Sequence, residues 1–124
     1  MKIFLIEDDK IYSDFIRKAL SQNEDYNVTP FSSAEDAINE MSGDLPEVLI
    51  IDYKLPGMTG ISMYESIKPK ITDANKVIML SAIDDGNMVL SFIQKGVRDY
   101  VIKDENVIEA LEAVIDGRED LFFR

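Results

Sequence analysis

Four short, unbroken apolar runs constrain this chain most: Ile3 to Ile6, Val48 to Ile51, Val77 to Leu80 and Tyr100 to Ile102. None alternates polar with apolar residues, as a strand with one wet face would. Runs of this kind are what parallel strands covered on both faces look like. Parallel strands need long crossovers, usually helical, and the stretches between the runs carry helical periodicity. Ile11, Tyr12, Phe15, Ile16, Ala19 and Leu20 form a first stripe. Ala34, Ala37, Ile38 and Met41 form a second, with Ser32 or Ser33 as its cap. Ile61, Tyr64 and Ile67 follow, then Met88, Val89, Phe92 and Ile93, a helix that Gly96 would end. Val107, Ile108, Leu111, Val114 and Ile115 make the last stripe.

A weaker strand candidate, Tyr26 to Phe31, mixes Asn27, Thr29 and Pro30 with its apolar residues. Proline cannot donate to a ladder, so that strand belongs at an edge. Five strand–helix alternations with right-handed crossovers then predict an α/β fold with one doubly wound, five-stranded parallel sheet. The order 2-1-3-4-5 puts the weak strand at the edge. The 124 residues suffice for one domain and one sizeable core, so a single domain over 1–124 is expected. The apolar tail Leu121-Phe122-Phe123 either docks on that core or leads into a further domain.

Composition removes several kinds of chemistry. With no Cys and no His, the chain has neither thiolate nor imidazole to offer as base, nucleophile or soft metal ligand. The lack of Cys fits a reducing cytoplasm. A net charge of −11 argues against a grip on nucleic-acid phosphates or an anionic membrane. No apolar stretch is long enough to span a bilayer or to act as a signal peptide.

Ligands of open parallel sheets bind outside the carboxyl ends of the strands, where strand order reverses. Reading those ends in turn gives Glu7-Asp8-Asp9, then Asp52, then Ser81, then Lys103. Singly, Asp8 or Asp9 reads as a helix cap, Ser81 as a turn residue and Lys103 as a solvated lysine. Three acids in a row exceed what a cap needs, and none of these roles accounts for Asp52. Oxygen ligands select a hard divalent cation, Mg²⁺ or Ca²⁺, and no loop has the alternating acids of an EF-hand. With Mg²⁺ on the acids, Lys103 and Ser81 would face a phosphate. The pattern reads as a site for phosphoryl transfer.

The chain resembles the receiver domain of two-component response regulators over nearly its whole length. The resemblance rests on the acidic pair after the first strand, on LIIDYKLPGMTG, on the Ser-Ala of MLSA, and on the Lys of DYVIKD, all in order. It implies a flavodoxin-like (βα)5 fold and phosphorylation of Asp52 by a sensor histidine kinase or phosphotransfer protein. It also implies Mg²⁺ held by Glu7, Asp8, Asp52 and the backbone carbonyl of Lys54, with Asp8 a direct ligand and Glu7 acting through water. Asp9 would fall in the first helical turn. Ser81 and Lys103 would hold the phosphoryl oxygens, and Tyr100 would be the aromatic that turns inward as Ser81 moves. The output surface would be the fourth helix, fifth strand and fifth helix, serving an effector domain or a homodimer.

Two departures from the family pattern stand out. Asp104 follows Lys103 where the family usually has proline, often with a cis bond. A cis bond at a non-proline residue costs about 2.5–4 kcal/mol, so a trans peptide is expected. Lys54 and Ile83 occupy positions that tune the lifetime of the phosphate in the family. Alternatives are a Mg²⁺-dependent phosphohydrolase with an aspartyl-phosphate intermediate, a flavin-binding module on the same fold, and an adaptor that works without phosphorylation. The first would want a second Asp where Lys54 stands, and the second a glycine-rich loop where the acids stand.

Overall fold

Each apolar run forms a strand in the computed structural model, which describes residues 1–41, 45–82 and 86–117. The strands are β1 (Lys2–Ile6), β2 (Asn27–Phe31), β3 (Val48–Asp52), β4 (Lys76–Ser81) and β5 (Asp99–Ile102). All neighbours pair in parallel, in the expected order β2-β1-β3-β4-β5. Pro30 lies in edge strand β2, opposite Leu5, where its missing N–H faces no further strand. The helices are α1 (Lys10–Leu20), α2 (Ala34–Glu40), α3 (Gly60–Ile67), α4 (Gly86–Gln94) and α5 (Val107–Ile115). A 3₁₀ turn, Lys68–Lys70, prolongs α3 around Pro69.

Alternate residues of each strand enter opposite cores, which is why the runs are unbroken. Ile3, Leu5, Ile50, Ile78, Leu80 and Val101 meet Ile16 and Leu20 of α1 and Leu111 and Val114 of α5. Phe4, Ile6, Leu49, Ile51 and Met79 meet Ala37 of α2, Met63 of α3 and Phe92 of α4. Full burial of one such side chain contributes about 1.5–3 kcal/mol, so exchanging the two faces by a one-residue slip is strongly disfavoured.

Two of the helical stripes are narrower than their periodicity predicted. Ile11 is 84% and Phe15 49% exposed, while Ser13, Ile16 and Leu20 are the buried residues of α1. Positions 13, 16 and 20 share the face turned to the sheet, and a 3.6-residue period carries 11 and 15 off that face. Ile93 of α4 is likewise exposed, and Phe92 beside it is fully buried. Caps fall where hydroxyls and carboxylates were available. Ser33 accepts from Asp36 N at 3.1 Å, and Thr59 accepts from Ser62 N at 3.1 Å. Gly96, at φ +98°, follows the end of α4, as its sequence position predicted. Ile83 and the Leu121–Phe123 tail lie outside the described residues. Among the described residues no helix is long and apolar enough to cross a membrane.

Candidate functional site

The register brings the carboxyl ends of β1, β3, β4 and β5 to one rim of the sheet, with Ile6 beside Ile51, Asp52 beside Leu80, and Ser81 beside Ile102. At this rim the three acids after β1 divide their tasks. Glu7 N donates to Phe31 O at 3.0 Å, extending the strand pairing by one residue, and the side chain turns inward to 2% exposure. Asp8 stays exposed. Asp9 is the N-cap of α1 and not, as predicted, a residue of its first turn; its Oδ1 accepts from Tyr12 N at 3.1 Å. A short side-chain acceptor gains more by satisfying a free helical N–H than by joining the helix. Asp9 N in turn donates to Glu7 Oε2 at 3.1 Å, which fixes the buried carboxylate.

Asp52 is the last residue of β3 and 5% exposed. Its Oδ1 accepts from Lys54 N at 3.3 Å, while the Lys54 side chain points to solvent. The approach of α3 to this strand end requires glycine at 60, because a Cβ there would lie 2.4 Å from the Asp52 carbonyl oxygen. Ser81, 1% exposed, ends β4, and its Oγ donates to Met88 Sδ on α4 at 3.4 Å. Lys103 N donates to Ser81 O at 2.7 Å, placing Lys103 directly after β5. The peptide between Lys103 and Asp104 is trans, as expected for a non-proline residue. Asp104 Oδ1 accepts from Asn106 N at 2.9 Å and organises the turn into α5.

Lys103 Nζ reaches back across the rim. It donates to Glu7 Oε1, lies 3.2 Å from Asp52 Oδ2, and sits 4.7 Å above the centroid of the Tyr12 ring. Burial lowers the affinity of this amine for its proton, but the two carboxylates outweigh burial and its pKa is raised. Glu7 is pushed up to about 7, chiefly by burial and further by the charge of Asp52, against the pull of Lys103.

Oxygens of Glu7, Asp8 and Asp52 all lie within 4.8 Å of one another. Like charges about 4 Å apart at an effective dielectric near 20 repel by about 4 kcal/mol, which the Lys103 ammonium offsets in part. The donor set, carboxylates alone, fits a hard divalent cation such as Mg²⁺.

The predicted residues therefore divide into those at the centre and those beside it. Glu7, Asp8, Asp52 and Lys103 converge, and Ser81 sits at the next strand end. Tyr100 is half-buried and packs against the core that holds Phe92. Two neighbours were not singled out from the sequence. In the sequence Tyr12 and Met88 are each only part of an apolar helical stripe. A tyrosine, with its polar hydroxyl, in an otherwise apolar stripe one turn past the acids is the available signal. A concavity of about 570 Å³ at the opposite end of the sheet is lined in part by Lys68 and Lys76. Their amines already donate to Lys95 O at 2.8 Å and to Val114 O at 2.6 Å. The reactive groups gather at the carboxyl rim.

A doubly wound parallel sheet in the order 2-1-3-4-5, with acids, a hydroxyl and an amine at its switch point, defines an α/β protein of the flavodoxin-like class. The family described as response regulator receiver domain matches residues 3–115, and the chain belongs to it. The transcriptional regulatory protein CssR of Bacillus subtilis is 36% identical over 102 residues, which cover 82% of this chain and 44% of CssR. The chemotaxis protein CheY of Listeria monocytogenes is 27% identical over 115 residues, 90% of this chain and 96% of CheY. The chain spans about half the length of other curated relatives, such as NarL of Mycobacterium tuberculosis, of which it covers 54%. Among solved structures, the receiver domain of the Francisella response regulator 1452 superposes with a TM-score of 0.80 at 23% identity, covering 98% of both chains. DrrB of Thermotoga maritima gives a TM-score of 0.78 at 26% identity over 94% of this chain and 52% of DrrB.

Proposed function

We propose that this receiver domain is a phosphorylation switch whose acceptor is Asp52. The observation that carries the reading is the clustering of Glu7, Asp8 and Asp52 at the strand rim, with the Lys103 amine against Glu7 and Asp52. An Asp52 carboxylate oxygen attacks the phosphorus of a phosphohistidine on a sensor kinase or phosphotransfer protein. The P–N bond breaks, the imidazole leaves with its electron pair, and an acyl phosphate remains. Hydrolysis by water later returns the carboxylate and releases inorganic phosphate, so the chain's own catalysis is confined to its own phosphorylation and dephosphorylation.

Glu7, Asp8, Asp52 and the Lys54 carbonyl would hold Mg²⁺, with Asp8, the exposed acid, as a direct ligand and buried Glu7 acting through water. The ion supplies charge neutralisation for the incoming phosphoryl oxygens. Lys103 presents a point charge to those oxygens and Ser81 a hydroxyl donor. Drawing Ser81 towards the phosphoryl group exchanges its bond to Met88 and biases α4 and β5, with Tyr100 following. This is a population shift set by how much the phosphate prefers one state. The face of α4, β5 and α5 then meets an effector domain or a second copy, within the cytoplasm. Residues 1–124 form the receiver unit.

The phosphohydrolase reading lacks support at the position two residues beyond Asp52. There the Lys54 backbone serves Asp52 while its side chain faces solvent, so no acid or base stands over the acyl phosphate from that position. The test is incubation with acetyl phosphate and Mg²⁺, followed by intact mass. One phosphoryl group is expected on the wild type and none on Asp52→Asn or in chelator; equal labelling of the variant would overturn the assignment.

A further inference from the structure

Among the described residues three groups lie against the Lys103 amine, and two of them are already committed. Glu7 Oε1 and Asp52 Oδ2 hold its ammonium, and both carboxylates belong to the set that would engage a divalent cation. The third neighbour is the face of the Tyr12 ring, 4.7 Å from Nζ to the centroid. A lysine head group on four flexible carbons needs a fixed partner to stay in one place. An aromatic face attracts a cation through its quadrupole, most strongly where water is excluded. Neither a metal ion nor a phosphoryl group competes for that face.

We propose that Tyr12 is the positioning residue for Lys103. Its ring is a platform that keeps the ammonium at the site once the carboxylates are engaged elsewhere. The proposal rests on the reading of Asp52 as acceptor and adds a residue that reading does not use.

The platform is built from three sides. The Asp9 cap fixes the Tyr12 backbone through the bond to its N–H. The ring of Phe15 packs on it at 5.9 Å, tilted by 52°. Tyr12 also packs against the core formed by Ile3, Leu5 and the α5 residues. Its hydroxyl oxygen is buried with no hydrogen-bond partner among the described residues. Burial, with the negative charge of Glu7, Asp104 and Asp52, pushes this phenol up to about 12, so the ring stays neutral. The hydroxyl is not what holds Lys103, and phenylalanine should serve as well. Were Tyr12 needed only for packing, leucine there would lower stability but leave the phosphorylation rate unchanged.

The test has a kinetic arm and a spectroscopic one. With acetyl phosphate and Mg²⁺, Tyr12→Phe should phosphorylate within about two-fold of the wild type, and Tyr12→Leu about five- to thirty-fold more slowly, the span of a lost cation–π contact. In NMR spectra the Lys103 ε-methylene protons should be shifted upfield by the ring, with and without Mg²⁺. That shift should persist in Tyr12→Phe and vanish in Tyr12→Leu. The proposal is overturned if Tyr12→Leu phosphorylates at the wild-type rate, or if Tyr12→Phe slows as much as Tyr12→Leu. It is also overturned if the wild-type upfield shift is missing or collapses when Mg²⁺ is added. If the wild type takes up no phosphoryl group, the acceptor reading of Asp52 fails instead, and the spectroscopic arm alone decides the platform.

Discussion

Lys103 stands between two buried carboxylates, and removing it would leave them facing each other. Lys103→Met keeps most of the side-chain volume but not the charge. In chelator it should lose on the order of 2 kcal/mol of stability, less than for a fully buried pair because the lysine keeps some solvent contact. If Mg²⁺ binds the folded state as proposed, it should return much of that loss; urea melts with and without the ion would show it, and an unchanged chelator melt would contradict the pairing. Asp8→Ala should act with the opposite sign, melting higher than the wild type in chelator and gaining less from Mg²⁺. Glu7 adds a pH dependence. In the folded chain its carboxyl keeps its proton up to about 7, against a reference value of 4.5, so between those values the folded state binds more protons than the unfolded one. Stability should therefore fall as pH rises through that window, by up to about 3 kcal/mol. Glu7→Gln should remove that part of the slope, and an identical slope in wild type and variant would show that Glu7 is not its source. Glu7 and Lys103 were each legible as strand-end residues. Their contact spans 96 residues of sequence, and only the sheet register decides it.

At the scale of elements, the strands were legible because burial on both faces leaves no polar position inside a run. Pro30 fixed the edge for the same kind of reason, a missing donor. The helical faces were less legible: periodicity finds a stripe but not its centre, so Ile11, Phe15 and Ile93 were assigned to a core they do not enter. The start of α3 depends on Gly60, and Gly60→Ala forces a methyl to within 2.4 Å of the Asp52 carbonyl. It should cost on the order of 2–3 kcal/mol by overpacking, and weaken Mg²⁺ binding by shifting the Asp52 backbone. A variant as stable as the wild type would mean that α3 can retreat. Between β4 and α4, Ser81 Oγ donates to Met88 Sδ, and under the proposed switch this bond favours the unphosphorylated arrangement. Met88→Leu keeps the volume at a cost below about 1.5 kcal/mol but removes the acceptor. Amide shifts of α4 and β5 in the unphosphorylated variant should move towards those of the phosphorylated wild type; no movement would exclude Met88 from the switch.

For the whole molecule, two cores pack on the faces of one sheet, and strand order brings together acids, hydroxyl and amine from positions 7 to 103. This is why the strand-end residues that converge were legible in the sequence strand by strand, whereas Tyr12, which meets Lys103 from the side of a helix, was not. The net charge of −11 disfavours a grip on nucleic-acid phosphates, and at the acidic rim it is the Lys103 amine that meets Glu7 and Asp52. The central claim is that the phosphoryl group is carried by one carboxylate, at the end of β3. An acyl phosphate is reduced by borohydride to an alcohol, so treating the phosphorylated protein and mapping its peptides marks the acceptor. Homoserine at position 52 and at no other acid is the predicted result. Homoserine at position 8 or 9, or no conversion in a protein that carries phosphate, would contradict it.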